Sequence, residues 1–380
     1  MLSKLELRGY RGFEKFELAD LRPVNLIVGN NNCGKTSILE AVELLASGGR
    51  PSAFKRSAMR RSETVWHHHD DPQEPLVAMR SSRGVRRAVL SHFFHGHRCE
   101  PGAEFVLSAD DSRSDGHPRR LSAKLYSSGD VETSSFFDVG GGDRPSALRY
   151  RMDERGPDAV LYLTIENEGG EPFLLPVGEY GALLGDVYRL RVSNGPNASL
   201  RFLTLDSFDP LSMREEWDGL QAEGREDEVV ESLKTLLPNI ASIHFLAGGA
   251  GILIGSADGG GRLPIGTFGD GVKRLLALAL SFIGSRDGFL LIDEIDTGLH
   301  WTVMEDMWRL VVEAAKRSNV QVFATTHSYD CIRGLGSLAK SCPELAKQVS
   351  IQKVHHALQR AVSLHDEGIQ VAVEQGIEVR

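Results

Sequence analysis

One short segment near the start of the chain limits the folds that the chain can adopt. The apolar run Val24–Val28 predicts a buried strand, and apolar residues at helical spacing after Thr36 predict a helix to Ala46. The residues between them have the spacing of a phosphate-binding loop: Gly29, Asn30, Asn31, Asn32, Cys33, Gly34, Lys35, Thr36 and Ser37. Because such a loop joins a strand to a helix, it predicts an α/β fold with a mostly parallel sheet core.

The residues of this loop have distinct chemical roles. Its glycines let backbone N–H groups turn toward phosphate oxygens, and the N-terminus of the following helix adds partial positive charge. We expect Lys35 to reach the β- and γ-phosphates and the hydroxyl of Thr36 to bind Mg²⁺. The predicted ligands are therefore ATP and Mg²⁺, and the choice between ATP and GTP stays open.

A second apolar run, Phe289–Ile292, leads directly into two acids, Asp293 and Glu294. A buried strand of an open α/β sheet delivers such carboxylates to the ligand crevice. We expect Asp293 to hold Mg²⁺, directly or through water, and Glu294 to polarise the attacking water as a general base. A solvated acidic turn is the alternative for an isolated pair of acids, but the phosphate loop favours the functional interpretation.

A third strand-like run, Val320–Ala324, is followed by a polar turn that contains His327. This histidine is expected to hydrogen-bond the γ-phosphate and to sense hydrolysis. A single histidine is more often structural, yet its position one strand after the acids favours a role in catalysis.

The order of these motifs resembles that of ABC-type ATPases. In particular, it is similar to the heads of the RecF, SMC and overcoming-lysogenization-defect (OLD) group. In this chain Arg11-Gly12-Phe13 is followed by the strand and loop residues 24–31, and this order is typical of the N-terminal segment of that group. The resemblance covers about residues 1–48 and 225–380. It implies a P-loop NTPase whose ABC-ATPase head is interrupted by a β-rich and helical lobe over 49–224, with no long coiled coil.

The resemblance also implies a homodimer, or a larger homo-oligomer, that encloses ATP between protomers. The signature segment that contacts the γ-phosphate of the partner corresponds to Gly269, Asp270 and Gly271, although glycine stands where a serine is usual. Asp296 is expected at the dimer face. A glycine turn before a core helix is the alternative for the signature segment.

Three features between residues 50 and 97 stay open. Gln73 is the candidate for a Q-loop. The histidines at 67–69, with His92, His95 and His97, favour a solvated or partner-facing loop over a metal site, because adjacent histidines point in different directions. Nine lysines and arginines between residues 50 and 87 either contact nucleic acid or form solvated surface.

Composition narrows the cellular setting. The net charge of -9 opposes tight constitutive binding of nucleic acid by the whole surface. The four cysteines form no Cys-x-x-Cys pair, and the chain has neither a signal core nor an apolar run of membrane length. These observations predict a cytoplasmic protein with reduced thiols and no membrane partner.

The motifs predict an ATPase that converts ATP and water to ADP and phosphate. Relatives of the OLD type append a TOPRIM nuclease, which we do not expect after His327. The chain thus resembles stand-alone ATPase subunits of PARIS-like and RloA-like anti-phage systems, which implies a separate effector, TOPRIM or otherwise nuclease-like. The alternatives are a RecF-like, ATP-dependent DNA clamp and a scaffold in which ATP is structural.

Overall fold

The computed structural model of this chain describes residues 1–67, 85–112, 118–127, 161–167, 173–178, 199–204, 207, 209–234, 237–246 and 251–374. Its strands are β1 (Leu2–Tyr10), β2 (Phe13–Leu18), β3 (Val24–Val28), β4 (Thr64–His67), β5 (Val85–Ala88), β6 (Glu104–Asp111), β7 (Arg119–Ser127), β8 (Leu161–Asn167), β9 (Phe173–Val177), β10 (Leu200–Leu203), β11 (Ile240–Phe245), β12 (Ile252–Ser256), β13 (Arg262–Pro264), β14 (Phe289–Ile292), β15 (Gln321–Thr325), β16 (Val349–His355) and β17 (Arg360–His365).

The α-helices are α1 (Lys35–Ala46), α2 (Pro51–Arg60), α3 (Pro210–Ala222), α4 (Glu226–Leu233), α5 (Asp270–Gly284), α6 (Met304–Ser318), α7 (Tyr329–Ser341), α8 (Pro343–Ala346) and α9 (Glu367–Glu374). Short 3₁₀ helices cover Leu90–Phe93, His95–His97, Ile265–Phe268, Trp301–Val303 and His356–Leu358. Within the described residues the longest helices, α5 and α6, have 15 residues each, and no helix has the length and apolar character needed to cross a membrane.

Twelve strands form one mixed sheet in the order β10-β14-β15-β3-β16-β17-β2-β1-β6-β7-β8-β9. From β10 to β16 every neighbouring pair is parallel, whereas the pairs from β2 to β9 are antiparallel. The predicted α/β fold with a parallel core is therefore confirmed. Strands β6 to β9, from the predicted inserted lobe, extend this same sheet, and the domain boundaries at 48/49 and 224/225 stay a prediction.

Helices cover both faces of the parallel half, which explains the unbroken apolar runs of its strands. Side chains alternate between the two faces of a strand. On β14, Leu290 and Ile292 pack into the core with residues of α5, α6 and α7. Phe289 and Leu291 pack into the opposite core with residues of α1 and α2.

The strand order brings three chain segments to one edge of the sheet. β15 lies between β14 and β3, with Ala324 in register with both Ile292 and Leu26. Because the three strands are parallel, their carboxyl ends meet at this edge. The phosphate loop, the acids after β14 and the polar turn after β15 are therefore neighbours.

Candidate active site

Two glycines give the phosphate loop its shape. Gly29 has φ 148° and Gly34 has φ 89°, in the region that side chains disfavour. A Cβ atom at Gly34 would lie 2.5 Å from Cζ of Phe13, and one at Gly29 would lie 2.8 Å from Sγ of Cys33. Both positions therefore require glycine for conformation and for space.

Lys35 is buried at the first turn of α1, and its ammonium lies against its own loop. It donates to the carbonyl oxygens of Gly29 at 2.7 Å and Asn30 at 2.9 Å. It also lies 3.3 Å from Nδ1 of His327, which must accept because an ammonium only donates. Burial lowers the pKa of Lys35, and this effect is opposed by Cys33 and the nearby acids. The predicted lysine and histidine are thus in direct contact.

The carboxylate of Asp293 is held from two sides by hydroxyl groups. Thr36 Oγ1 donates to Oδ2 at 3.1 Å, and Thr325 Oγ1 donates to Oδ1 at 2.6 Å. A hydroxyl beside a carboxylate fits Mg²⁺, which is commonly bound through one or two protein oxygens together with substrate phosphates. The residues predicted to hold the metal therefore lie together and have suitable chemistry.

Glu294 is a non-glycine residue with positive φ, at 54°. Its backbone N–H donates to Thr325 Oγ1 at 2.9 Å, and its Oε2 accepts from Thr297 Oγ1 at 3.0 Å. Such a conformation persists only where surrounding contacts fix it, and these positions are common at active sites. The two threonines thus orient the acid that the sequence predicts as the base.

Asp296 has a partner within its own chain. The hydroxyl of Thr326 donates to Asp296 Oδ1 and accepts from the backbone N–H of Ser328 at 2.9 Å. These contacts join the loop after β14 to the turn after β15. The role of Asp296 at a dimer face stays a prediction.

The signature segment lies at the start of α5, which begins at Asp270 after Gly269. A Cβ atom at Gly271 would lie 3.4 Å from Cδ2 of Leu299. One at Gly298 would lie 2.7 Å from Nε of Arg274. Gly271 and Arg274 therefore pack against the loop that follows the acids in the same chain.

The basic segment, residues 50–87 with its nine lysines and arginines, is partly neutralised by two buried glutamates of α1. Arg61 Nε is 2.9 Å from Glu40 Oε1, and Arg56 Nε is 2.9 Å from Glu43 Oε1. Arg60 also pairs with Glu43. Three of the nine predicted basic residues are therefore bound to the helix of the phosphate loop.

The sequence did not predict the role of Arg11, although the residue belongs to the Arg-Gly-Phe opening. It is buried, pairs with Glu40 and Glu63 at 2.9 Å each, and lies 4.5 Å from the ring centroid of Phe93. Arg61 also donates to Ser37 Oγ at 3.0 Å. Together these contacts connect the first hairpin, α1 and the residues after α2.

The predicted histidine loop is only partly described. The Nδ1 atoms of His92 and His97 are 3.1 Å apart; His97 is exposed and His92 is partly buried. Gln73, His68 and His69 lie outside the described residues. Over the described ranges, no three or more histidine, cysteine or acidic residues are grouped so that they could hold a metal.

Two family models match separate parts of the chain. Residues 1–77 match the family described as "AAA ATPase domain", and residues 196–330 match "AAA domain, putative AbiEii toxin, Type IV TA system". The first match contains the phosphate loop, and the second contains the acids and His327. These matches to ATPase domains confirm the prediction of an ATPase.

The individual relatives either have low sequence identity to this chain or match only a short part of it. An "ATP/GTP phosphatase" of Helicobacter pylori (strain ATCC 700392 / 26695) is 21% identical over 354 residues, which cover 90% of this chain and 89% of that protein. The DNA replication and repair protein RecF of Bacillus thuringiensis (strain Al Hakam) is 44% identical over only 45 residues, 12% of each chain.

Solved structures of SMC heads are similar over nearly their whole length. The SMC head domain from Thermotoga maritima has a TM-score of 0.44 at 14% identity and covers 96% of this chain and 98% of that one. An SmcHead bound to the C-winged helix domain of ScpA has a TM-score of 0.45 at 16% identity, with the same coverage. These scores describe a distant similarity.

Proposed function

We propose that this protein is an ABC-type ATPase that closes around ATP as a homodimer and regulates a separate effector in prokaryotic anti-phage defence. The observation that carries the proposal is the meeting of Lys35, Thr36, Asp293, Glu294 and His327 at one sheet edge. They form two hydrogen-bonded groups: Lys35 with His327, and Thr36 with Asp293, whose other hydroxyl partner, Thr325, accepts from the backbone N–H of Glu294. Together the two groups contain the residue types that nucleotide binding and water activation require.

Each side chain has a role in the proposed reaction. Lys35 exchanges the carbonyls of its own loop for phosphate oxygens, and backbone N–H groups of the loop bind the remaining phosphates. Thr36 and Asp293 would hold Mg²⁺, which supplies charge neutralisation between the β- and γ-phosphates. Glu294, oriented by Thr297, accepts a proton from the attacking water.

His327 would connect the γ-phosphate with Lys35. Its Nδ1 accepts from Lys35, so its Nε2 carries the proton of the neutral ring and can donate to a phosphate oxygen. The side chain is exposed, which leaves this nitrogen room for a ligand. We therefore assign His327 the role of a γ-phosphate contact.

The homodimer explains the position of the signature segment. Gly269 precedes a helix of 15 residues, whose N-terminus carries partial positive charge. A second copy of the chain would place its own ATP against Gly269–Gly271. ATP would then bridge the phosphate loop of one protomer and the signature segment of its partner.

The effector is proposed from the motifs and from the family description. A complete set of ATPase residues accounts for nucleotide chemistry alone, and the description of the second matched family names a type IV TA system. The effector proposed from the resemblance is a TOPRIM or other nuclease-like protein. Nucleotide state in the homodimer would control its activity.

The test is to purify tagged Glu294→Gln protein from its own host with ATP and Mg²⁺ and to weigh the assembly by native mass spectrometry. We expect a second polypeptide bound to a homo-oligomer. A bare dimer would favour the clamp described below, and a monomer would contradict the enclosure of ATP between protomers.

Hydrolysis provides an independent test of the assigned base. Glu294→Gln should lower the turnover rate about 10²- to 10⁴-fold, since it removes general-base catalysis while leaving the phosphate contacts in place. Phosphate release and ATP affinity are measured together. The exposed carboxylate of Glu344 gives a matched control as Glu344→Gln. Unchanged turnover in Glu294→Gln would show that another group is the base.

A RecF-like DNA clamp is the second candidate. The short match to RecF and the basic segment after α1 favour it. The clamp predicts ATP-dependent DNA affinity that falls steeply with salt concentration. Absence of salt-sensitive DNA binding in the presence of ATP would remove this candidate, and would leave the ATPase assignment intact.

A further inference from the structure

A histidine from the far end of the chain contacts the outer side of the phosphate loop. His356 starts the 3₁₀ turn between β16 and β17, and its Nε2 lies 2.9 Å from the carbonyl oxygen of Cys33. A carbonyl oxygen only accepts hydrogen bonds, so Nε2 carries a proton and donates it. The contact joins residues 323 positions apart in the sequence.

This hydrogen bond fixes the direction of one peptide unit. The Cys33–Gly34 peptide is planar and trans, so its C=O and N–H groups point in opposite directions. With the Cys33 carbonyl held toward His356, the N–H of Gly34 points away from His356. In a phosphate-binding loop, backbone N–H groups that turn inward cradle the α- and β-phosphates.

Ring packing holds the imidazole in the position needed for this bond. The ring of His356 stacks on Phe13, with centroids 5.3 Å apart and planes 12° from parallel. Phe13 is buried, and its own ring limits the space at Gly34 to a glycine. His356, Phe13 and Gly34 therefore pack one against the next beside the phosphate loop.

Strand register explains why His356 reaches the loop. β16 pairs with β3 in parallel, and Lys353 is in register with Val28, the last residue before the loop. β3 ends there, whereas β16 continues to His355, so the turn that begins at His356 lies beside the phosphate loop. The turn is closed by Gln359, with φ 51°, whose carbonyl accepts from the N–H of Glu17 on β2 at 3.2 Å.

We propose that His356 is a positioning residue that fixes the Gly34 N–H for phosphate binding; this inference rests on the proposed ATPase function. The α- and β-phosphates are common to ATP and ADP, so the N–H of Gly34 would contact both nucleotides. Loss of the hydrogen bond should therefore weaken both nucleotides alike, and should raise KM while leaving kcat nearly unchanged.

Two substitutions separate the hydrogen bond from the stacking. His356→Phe keeps an aromatic ring on Phe13 and removes the donor, whereas His356→Gln restores an amide N–H near the position of Nε2. Because His356 is exposed, neither change should prevent folding. The neighbouring exposed residue gives a matched control as His355→Phe.

The affinities for ATP and ADP are measured by titration with fluorescent analogues of each, alongside steady-state kinetics. His356→Phe should weaken both nucleotides about threefold to tenfold, the effect of one hydrogen bond. His356→Gln should recover most of this loss, and His355→Phe should match the unmodified protein. Throughout, kcat should stay within about twofold, as for uniform binding.

Two results would overturn the inference. His356→Phe could bind both nucleotides as tightly as the unmodified protein, or His356→Gln could bind them no better than His356→Phe. Failure of the unmodified protein to bind ATP would instead overturn the proposed function, and with it this inference.

Discussion

The phosphate loop and the signature segment are both built on glycines, but their surroundings differ. Cβ atoms at Gly29 and Gly34 would collide with neighbouring atoms of the same chain. At Gly269, no atom of the described residues lies within 4 Å of the Cβ position, and at Gly271 the nearest such atom, Cδ2 of Leu299, is 3.4 Å away. The chain therefore packs closely around the glycines of the phosphate loop, whereas it leaves the signature segment open at Gly269. This contrast is expected if the first region works within a protomer and the second works on a partner.

Removing the positive charge of Lys35 from the phosphate loop should give the largest loss of ATP affinity. Lys35→Ala should lower the ATP affinity of the isolated protomer about 10- to 100-fold, because it removes charge-assisted hydrogen bonds to phosphate. Isothermal titration measures the loss. Lys340→Ala, on an exposed lysine of α7, is the control. Retained affinity in Lys35→Ala would place the nucleotide elsewhere.

A negative charge in the signature segment should weaken the pairing of two protomers but leave ATP binding by a single protomer unchanged. Gly271→Glu places a carboxylate where the partner's γ-phosphate is proposed to lie, so ATP-dependent pairing should weaken at least about tenfold through like-charge repulsion. Sedimentation with Glu294→Gln as the background measures pairing. Gly219→Glu, on an exposed open position of α3, is the matched control. Equal loss of ATP binding by the protomer would contradict the division of roles.

Adding one methyl group should separate the two regions by stability. Gly34→Ala meets both a positive φ and the ring of Phe13, so unfolding free energy should fall by about 1–2 kcal/mol. Gly266→Ala, in the 3₁₀ helix that precedes the signature segment, meets neither obstacle and should change stability by less than about 1 kcal/mol, in either direction. Urea denaturation measures both. Similar losses would show that the two regions are packed alike.

The smallest expected effect is a pH dependence of the phosphate loop. Burial lowers the pKa of Lys35 in the free protein, whereas phosphate favours the ammonium. ATP affinity should therefore be full below this lowered pKa and fall by at most about tenfold per pH unit as pH rises through it. Lys35→Arg should remove the decline over this range. A decline of the same size in Lys35→Arg would assign it to another group.

Local sequence was sufficient to predict the residues that end parallel strands. Lys35, Asp293 and His327 each follow an apolar run, and the rule for parallel sheets places such positions at one edge. As predicted, these residues lie close together: Lys35 contacts His327, and Thr36 contacts Asp293.

Contacts between distant segments gave no local signal. The pairing of Arg61 with Glu40 depends on how α2 packs against α1, so the composition of the segment overstated its available positive charge. His356 has no motif around it and reaches the loop only through the register of β16. Likewise, the alternating strands β6 and β7 gave no indication that they join the sheet of the phosphate loop.

The order of the sheet also determines when the phosphate loop can form during synthesis. The loop is encoded within the first 37 residues, but β3 lies between β15 and β16, which end at residues 325 and 355. Contacts of such high sequence separation form slowly, because the intervening chain must first be ordered. A ribosome-bound chain that stops before residue 349 lacks one of the two neighbours of β3. The segment that the ribosome makes first is thus among the last to acquire its final shape.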